Sequence, residues 1–137
     1  MLRSVKVQDY MATNLISFRP ETRLFDAIRA LQEYGISGAP VVNAAGQLVG
    51  MLSELDCLGA ILALTYHEEE MGSGGQVADY MTATVDTIAY DADLTEVSRR
   101  FMELKRRRLP VVRQGMLVGQ ISRRDVLRAV EEFAKDG

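Results

Sequence analysis

Two short stretches of this 137-residue chain place a serine three residues ahead of an aspartate: Ser53-Glu54-Leu55-Asp56 and Ser122-Arg123-Arg124-Asp125. Each follows a run with strand character and opens a run with helical character. Serine is an N-cap residue, and the free N–H groups of a helix N-terminus favour anions. A carboxylate in the first turn presents two acceptor oxygens, the complement of two vicinal hydroxyls such as a ribose 2′,3′-diol. An acid there also steadies the helix dipole, and spacing alone leaves both roles open. No histidine stands in a motif with either serine, so a nucleophilic triad finds no support.

The elements that must position these groups occur twice. Val7-Gln8-Asp9-Tyr10-Met11 returns 70 positions on as Val77-Ala78-Asp79-Tyr80-Met81, and Pro40-Val41-Val42 returns as Pro110-Val111-Val112. After one residue drops out of a turn, Gly50-Met51-Leu52-Ser53 returns 69 positions on as Gly119-Gln120-Ile121-Ser122. A repeat of this length is one supersecondary unit used twice. Each copy reads as strand, helix, strand, strand, helix, giving an α/β fold with mixed sheets, built from two pseudo-twofold-related β-α-β-β-α repeats. The repeats span 7–64 and 77–134, joined by an acidic, glycine-rich linker over 65–76.

Within the first repeat, Leu15–Phe18 is a short strand, and Leu24, Ala27, Ile28, Leu31 and Tyr34 form a helical stripe with Thr22 as N-cap and Gly35 as stop. Pro40–Val42 and 47–52 form a hairpin, and a helix runs from about Glu54 to Leu64. In the second repeat, Val85–Ile88 is the short strand, and Asp93 with Glu96 caps the next helix. Val111–Arg113 and Leu117–Ile121 form the hairpin, and the closing helix runs from Asp125 to about Lys135.

Composition narrows the class. An apolar content of 47%, a charged content of 26% and a net charge of −3 are ordinary for a globular protein and provide no global field for nucleic acid. The basic run Lys105-Arg106-Arg107-Arg108 lacks interleaved aromatic residues and reads as a solvated helix end. The single cysteine, Cys57, excludes an intrachain disulfide and reads as core packing. His67, the one histidine, stands among linker glutamates without ligand geometry, so no metal site is expected. No apolar run is long enough for a membrane span and no signal peptide is evident; a soluble, cytoplasmic protein is the expectation.

The twice-repeated order of Gly-hydrophobic-Pro-Val-Val, then Leu-Val-Gly-x-hydrophobic-Ser-x-x-Asp, resembles a tandem pair of CBS domains, also called a Bateman module, over about Val7 to Val130. The resemblance implies repeats packed through their sheets with two clefts between them, and two such pairs forming a flat homodimer. It implies a non-catalytic module sensing an adenosyl ligand (AMP, ADP or ATP first, S-adenosylmethionine or NAD otherwise), with the matching aspartate on the ribose and a separate effector protein reading the result. A dimerising interaction scaffold with vestigial ligand sites is the alternative.

The resemblance further implies that the turn of one repeat faces the other repeat. Ser53 and Asp56 would then share a first cleft with Val85, Asp86, Arg107, Arg108 and Arg124, where phosphate is preferred. Ser122 and Asp125 would share a second, weaker cleft with Ile16, Ser37 and Gly38, with Leu55 where the first has Arg124. Asp86 adds a carboxylate that could pair with one of the arginines, and Val85 and Leu109 are apolar candidates for walls of the base site.

Overall fold

Buried β-branched residues behind a proline make each Pro-Val-Val run the inner strand of a hairpin. In the computed structural model, which describes residues 4–65 and 75–136, β1 (Gly38–Val42) pairs antiparallel with β2 (Leu48–Ser53). A second sheet joins β3 (Ile88–Ala89), β4 (Arg108–Arg113) and β5 (Met116–Ser122), with β3 parallel and β5 antiparallel to β4. The linker stretch 66–74, with His67, lies outside the described residues.

The hairpin turns follow from their residues. Asn43 Oδ1 accepts the N–H groups of Ala45 and Gln47, folding the first turn around its own side chain. The shorter second turn needs two left-handed residues, Gln114 (φ 53°) and Gly115 (φ 79°), whose twist matches that of the strands.

Helices α1 (Leu24–Tyr34), α2 (Glu54–Thr65), α4 (Leu94–Leu104) and α5 (Arg123–Asp136) fall where the apolar spacing places them, and a one-turn helix α3 (Val77–Tyr80) opens the second repeat. Gly35 ends α1 in the left-handed conformation. Details differ from the sequence reading: the short strand expected over Val85–Ile88 is instead β3 at Ile88–Ala89. The N-cap of α1 is Arg23; the Thr22 hydroxyl instead accepts the Arg19 N–H. Leu15–Phe18 contributes one parallel bridge, Phe18 with Val41, because Pro20 two residues on cannot extend the ladder. Helix α5 starts at Arg123, directly off the strand.

Two compact units result, and they cut across the sequence repeats: Ile16–Val85 is one, and Met1–Leu15 with Asp86–Gly137 is the other. Each repeat lends its opening segment to the other unit. Val77 is fully buried in a core with Phe18, Leu24, Leu31, Val41, Leu52 and Leu64. Val7 is fully buried in a core with Ile88, Leu94, Val97, Leu109, Val111 and Ile121. Backbone bonds anchor both insertions: Val77 N–H to Thr22 O at 2.9 Å, and Val7 N–H to Ala92 O at 2.8 Å.

Val7→Ala should therefore destabilise the unit that holds the second repeat's sheet, by about 2 kcal/mol, because the lost methyl groups leave a cavity in a packed core. Urea denaturation checks it; an unchanged midpoint would show that the opening segment does not complete that core.

Asp93 caps α4, accepting the Glu96 N–H at 2.8 Å, and this bond above all holds its carboxyl below the ordinary value of 3.8. A lowered folded-state pKa stabilises the fold fully above the unfolded value, and the contribution is lost as pH falls through the folded one. The stability gap between wild type and Asp93→Asn should thus be widest near neutrality and shrink below about pH 4. Paired urea melts at pH 7 and pH 3 measure it; a gap that widened in acid would reverse the sign of the argument.

Candidate functional site

The two Ser-x-x-Asp turns have the same geometry. Asp56 N–H donates to Ser53 Oγ at 3.1 Å, and Ser53 N–H donates back to Asp56 Oδ2 at 2.9 Å. Asp125 and Ser122 repeat both bonds at 3.1 and 2.9 Å. This is a capping box at the start of a helix that leaves a strand without a loop. One carboxylate oxygen is spent on the cap, and Oδ1 of each aspartate remains for other partners.

What stands beside that second oxygen differs between the units. At Asp56 it is Thr82, whose hydroxyl lies 3.4 Å from Oδ1. At Asp125 the position 70 residues earlier in the repeat is Ala12, which brings no hydroxyl, and Oδ1 takes Arg128 Nη2 at 3.3 Å. Each of these residues is held by a backbone bridge to the sheet: Thr82 with Met51, and Ala12 with Gln120. The bridges are close because Gly50 and Gly119 stand beside them. A Cβ on Gly119 would lie 2.9 Å from Ala12 O and collide with the Met11 side chain.

In the unit of the second repeat this arrangement opens a pocket of about 280 Å³ lined by Ala12, Arg108, Gln120, Ser122 and Asp125. Arg108 pairs in register with Ser122 across β4 and β5, and the Arg107 carbonyl accepts the Arg123 N–H at 3.1 Å. No hydrogen bond or ion pair among the described residues engages the guanidinium groups of Arg107, Arg108 or Arg124. Asp86 does pair with an arginine, but that arginine is Arg106, at 3.2 Å. Leu109 is buried in the core.

The other unit brings together Ser53, Asp56, Ser37, Gly38 and Thr82. Gly38 pairs in register with Ser53, as Arg108 does with Ser122, and the Ser37 carbonyl accepts the Glu54 N–H at 2.9 Å. Ile16 and Val85 belong to this unit, whereas Asp86, Arg107, Arg108 and Arg124 belong to the other. Inside each unit, then, the residues before the inner strand accompany the Ser-x-x-Asp turn of their own repeat. The segment exchanged between repeats is the one carrying Ala12 or Thr82. The sequence reading missed Ala12, Thr82 and Gln120, although aligning the repeats residue by residue sets Ala12 against Thr82 and Met51 against Gln120.

Cys57, next to Asp56, is buried, and its thiol is pushed up by desolvation first and by Asp56 and Glu54 after it. Such a thiol stays protonated and packs as an apolar group. Among the described residues no group of three or more His, Cys, Asp or Glu side chains is placed to hold a metal ion, and no helix is long and apolar enough to cross a membrane.

Known proteins share this fold. The CBS domain family matches the chain twice, over residues 7–63 and 77–132. The crystal structure of CBSX2 in complex with AMP superposes with a TM-score of 0.80 at 32% identity, covering 95% of this chain and 98% of that one; CBSX2 is a CBS-pair protein from Arabidopsis thaliana. A CBS domain-containing protein of unknown function from Bacillus anthracis shares the fold with a TM-score of 0.81 at 20% identity, covering 96% of each chain. An uncharacterized protein of Methanocaldococcus jannaschii, MJ1225, is 30% identical over 122 residues, which cover 89% of this chain and 41% of that protein. The chain likewise matches 65% of the length of full CBSX2, so it spans less than two thirds of either relative. Matched over both repeats and superposing on a CBS pair along nearly its whole length, the chain belongs to the CBS domain family as a tandem pair.

Proposed function

We propose that the protein is a non-catalytic regulatory module that binds an adenosyl ligand, an adenine nucleotide first of all, in the pocket beside Asp125. The observation that carries this reading is the convergence of Asp125, Ser122 and Arg108 on one pocket with Ala12 and Gln120. Asp125 Oδ1 can accept from a ribose hydroxyl while Oδ2 keeps the cap. The unpaired guanidinium of Arg108 suits phosphate, and the N-terminus of α5 adds its dipole. The AMP complex of CBSX2, at 32% identity, supports the ligand class.

The cross-repeat pairing of Asp56 with Arg107, Arg108 and Arg124 remains a second proposed phosphate site beside this one. Within their own units, Asp125 has Arg107 and Arg108 at the positions where Asp56 has Ser37 and Gly38. At both aspartates Oδ1 already has a partner, the Thr82 hydroxyl at 3.4 Å from Asp56 and Arg128 Nη2 at 3.3 Å from Asp125, so a ribose would compete at either. Within its own unit, the site of Ser53, Asp56 and Val85 has no arginine from the inner strand. S-adenosylmethionine and NAD offer the same ribose diol and are the alternative ligands. Bound ligand would favour one arrangement of the protein over others, and an effector protein would read the change in population.

A second reading, the ligand-blind dimerising scaffold, draws on α2, whose Leu55 (78% exposed), Leu58, Ile61 and Leu62 (66%) form an uncharged apolar face. Such a face can meet its own copy across a twofold axis without charge repulsion.

Thermal melts with AMP, ADP, ATP, S-adenosylmethionine and NAD separate the two readings. A ligand at a hundredfold excess over its Kd should stabilise the protein by about 2.7 kcal/mol. The shift should vanish in Asp125→Ala and survive in Asp56→Ala. Arg108→Ala should weaken AMP about tenfold or more and leave adenosine unchanged, because only the phosphate loses a charge-assisted bond. No shift with any ligand, together with a dimer by sedimentation, would replace the sensor with the scaffold.

A further inference from the structure

We infer that Gln120 selects the base of the ligand, its side-chain amide reading the adenine edge and rejecting purines that carry a 6-oxo group. The inference rests on the adenosyl reading of the Asp125 pocket and adds a specificity-determining residue to it. Gln120 lines that pocket, and its Nε2 is fully buried with no hydrogen-bond partner. Buried polar groups are almost always paired, so an unpaired amide on a residue that lines a pocket is an unmet demand, one that a turn of the side chain toward the pocket would let a ligand satisfy.

The backbone around this side chain is already committed. Gln120 N–H donates to Ala12 O at 2.9 Å and Ala12 N–H donates to Gln120 O at 2.8 Å, so the bridge fixes where the side chain starts. Its β4 neighbour in register is Pro110, which has no N–H to offer. The strand position of this side chain is thus fixed at the pocket wall.

A glutamine amide matches adenine with two bonds, donating to N7 and accepting from the N6 amine. Guanine and hypoxanthine present an acceptor oxygen in place of that amine, so one of the two bonds becomes a clash of lone pairs. The same strand position in the other unit holds Met51, which has neither a strong donor nor a strong acceptor. Base selection is therefore confined to the Asp125 pocket.

Calorimetric titration of the full chain with AMP, IMP, GMP and 7-deaza-AMP, beside Gln120→Met, tests this. Met is the residue of the matching position in the other repeat, so the strand should tolerate it. Wild type should bind AMP about tenfold to a hundredfold more tightly than IMP, GMP or 7-deaza-AMP. Gln120→Met should bind all four alike, at the level of IMP on wild type, because the ribose and phosphate contacts persist. Without ligand, Gln120→Met should melt higher, by about 2–4 °C, since an unpaired buried amide is replaced by an apolar chain of similar length. An unchanged AMP-to-IMP ratio in the variant, or a lower melting temperature without ligand, would overturn the inference while leaving the adenosyl site intact. Failure of wild type to bind any of the four would remove the adenosyl reading and this one with it.

Discussion

Everything at the Asp125 pocket depends on two backbone hydrogen bonds between Ala12 and Gln120. They fasten the opening segment of the chain onto the outer strand of a sheet formed more than a hundred residues later. They are possible because Gly119 has no Cβ, so Met11 and the Ala12 carbonyl can approach the strand. The same arrangement holds at Gly50, where a Cβ would lie 2.9 Å from Thr82 O. The bridge acts at two levels. It covers an otherwise unpaired strand edge and brings the buried valine of the segment into the core. It also decides which side chain, Ala12 or Thr82, stands beside the aspartate.

The aspartates show how one group can cap a helix and still leave an oxygen at a fixed place. Each carboxylate gives one oxygen to the N–H three residues back and receives a serine hydroxyl in return at its own N–H. That reciprocal cap lets a helix begin on the residue after a strand ends, so the second oxygen has a fixed position. A side chain already immobilised by its cap loses little further freedom when a ligand binds, which is the physical advantage of building a site on it.

Symmetry of the backbone does not carry over to the chemistry. The two units share turns, register and caps. Yet one has Ala12, Arg107, Arg108, Gln120 and Arg124 where the other has Thr82, Ser37, Gly38, Met51 and Leu55. The first set is cationic with a small residue and a free amide; the second is neutral, with a hydroxyl already bonded to the aspartate. A duplicated scaffold of this kind keeps its fold through the core positions. The pocket-facing positions are released from that constraint and set what each unit can bind.

From the sequence by itself came the repeat, the hairpins, the helical stripes, the Asp93 cap and the two Ser-x-x-Asp turns. All are local: they rest on periodicity, on turn residues, or on side chains three positions apart, and neighbours along the chain decide them. The exchange of the opening segments was not legible, because Val7 and Val77 look alike and nothing local says which sheet each will join. That was settled by tertiary packing, through the glycines that admit the bridge and the cores that lack one valine without it. The placement of Arg108 in one pocket with Asp125 came from strand register, which sets Arg108 opposite Ser122. Gln120 became a candidate only when folding buried its amide against a pocket wall with no partner. A polar residue in a strand is unremarkable until the tertiary structure shows what surrounds it.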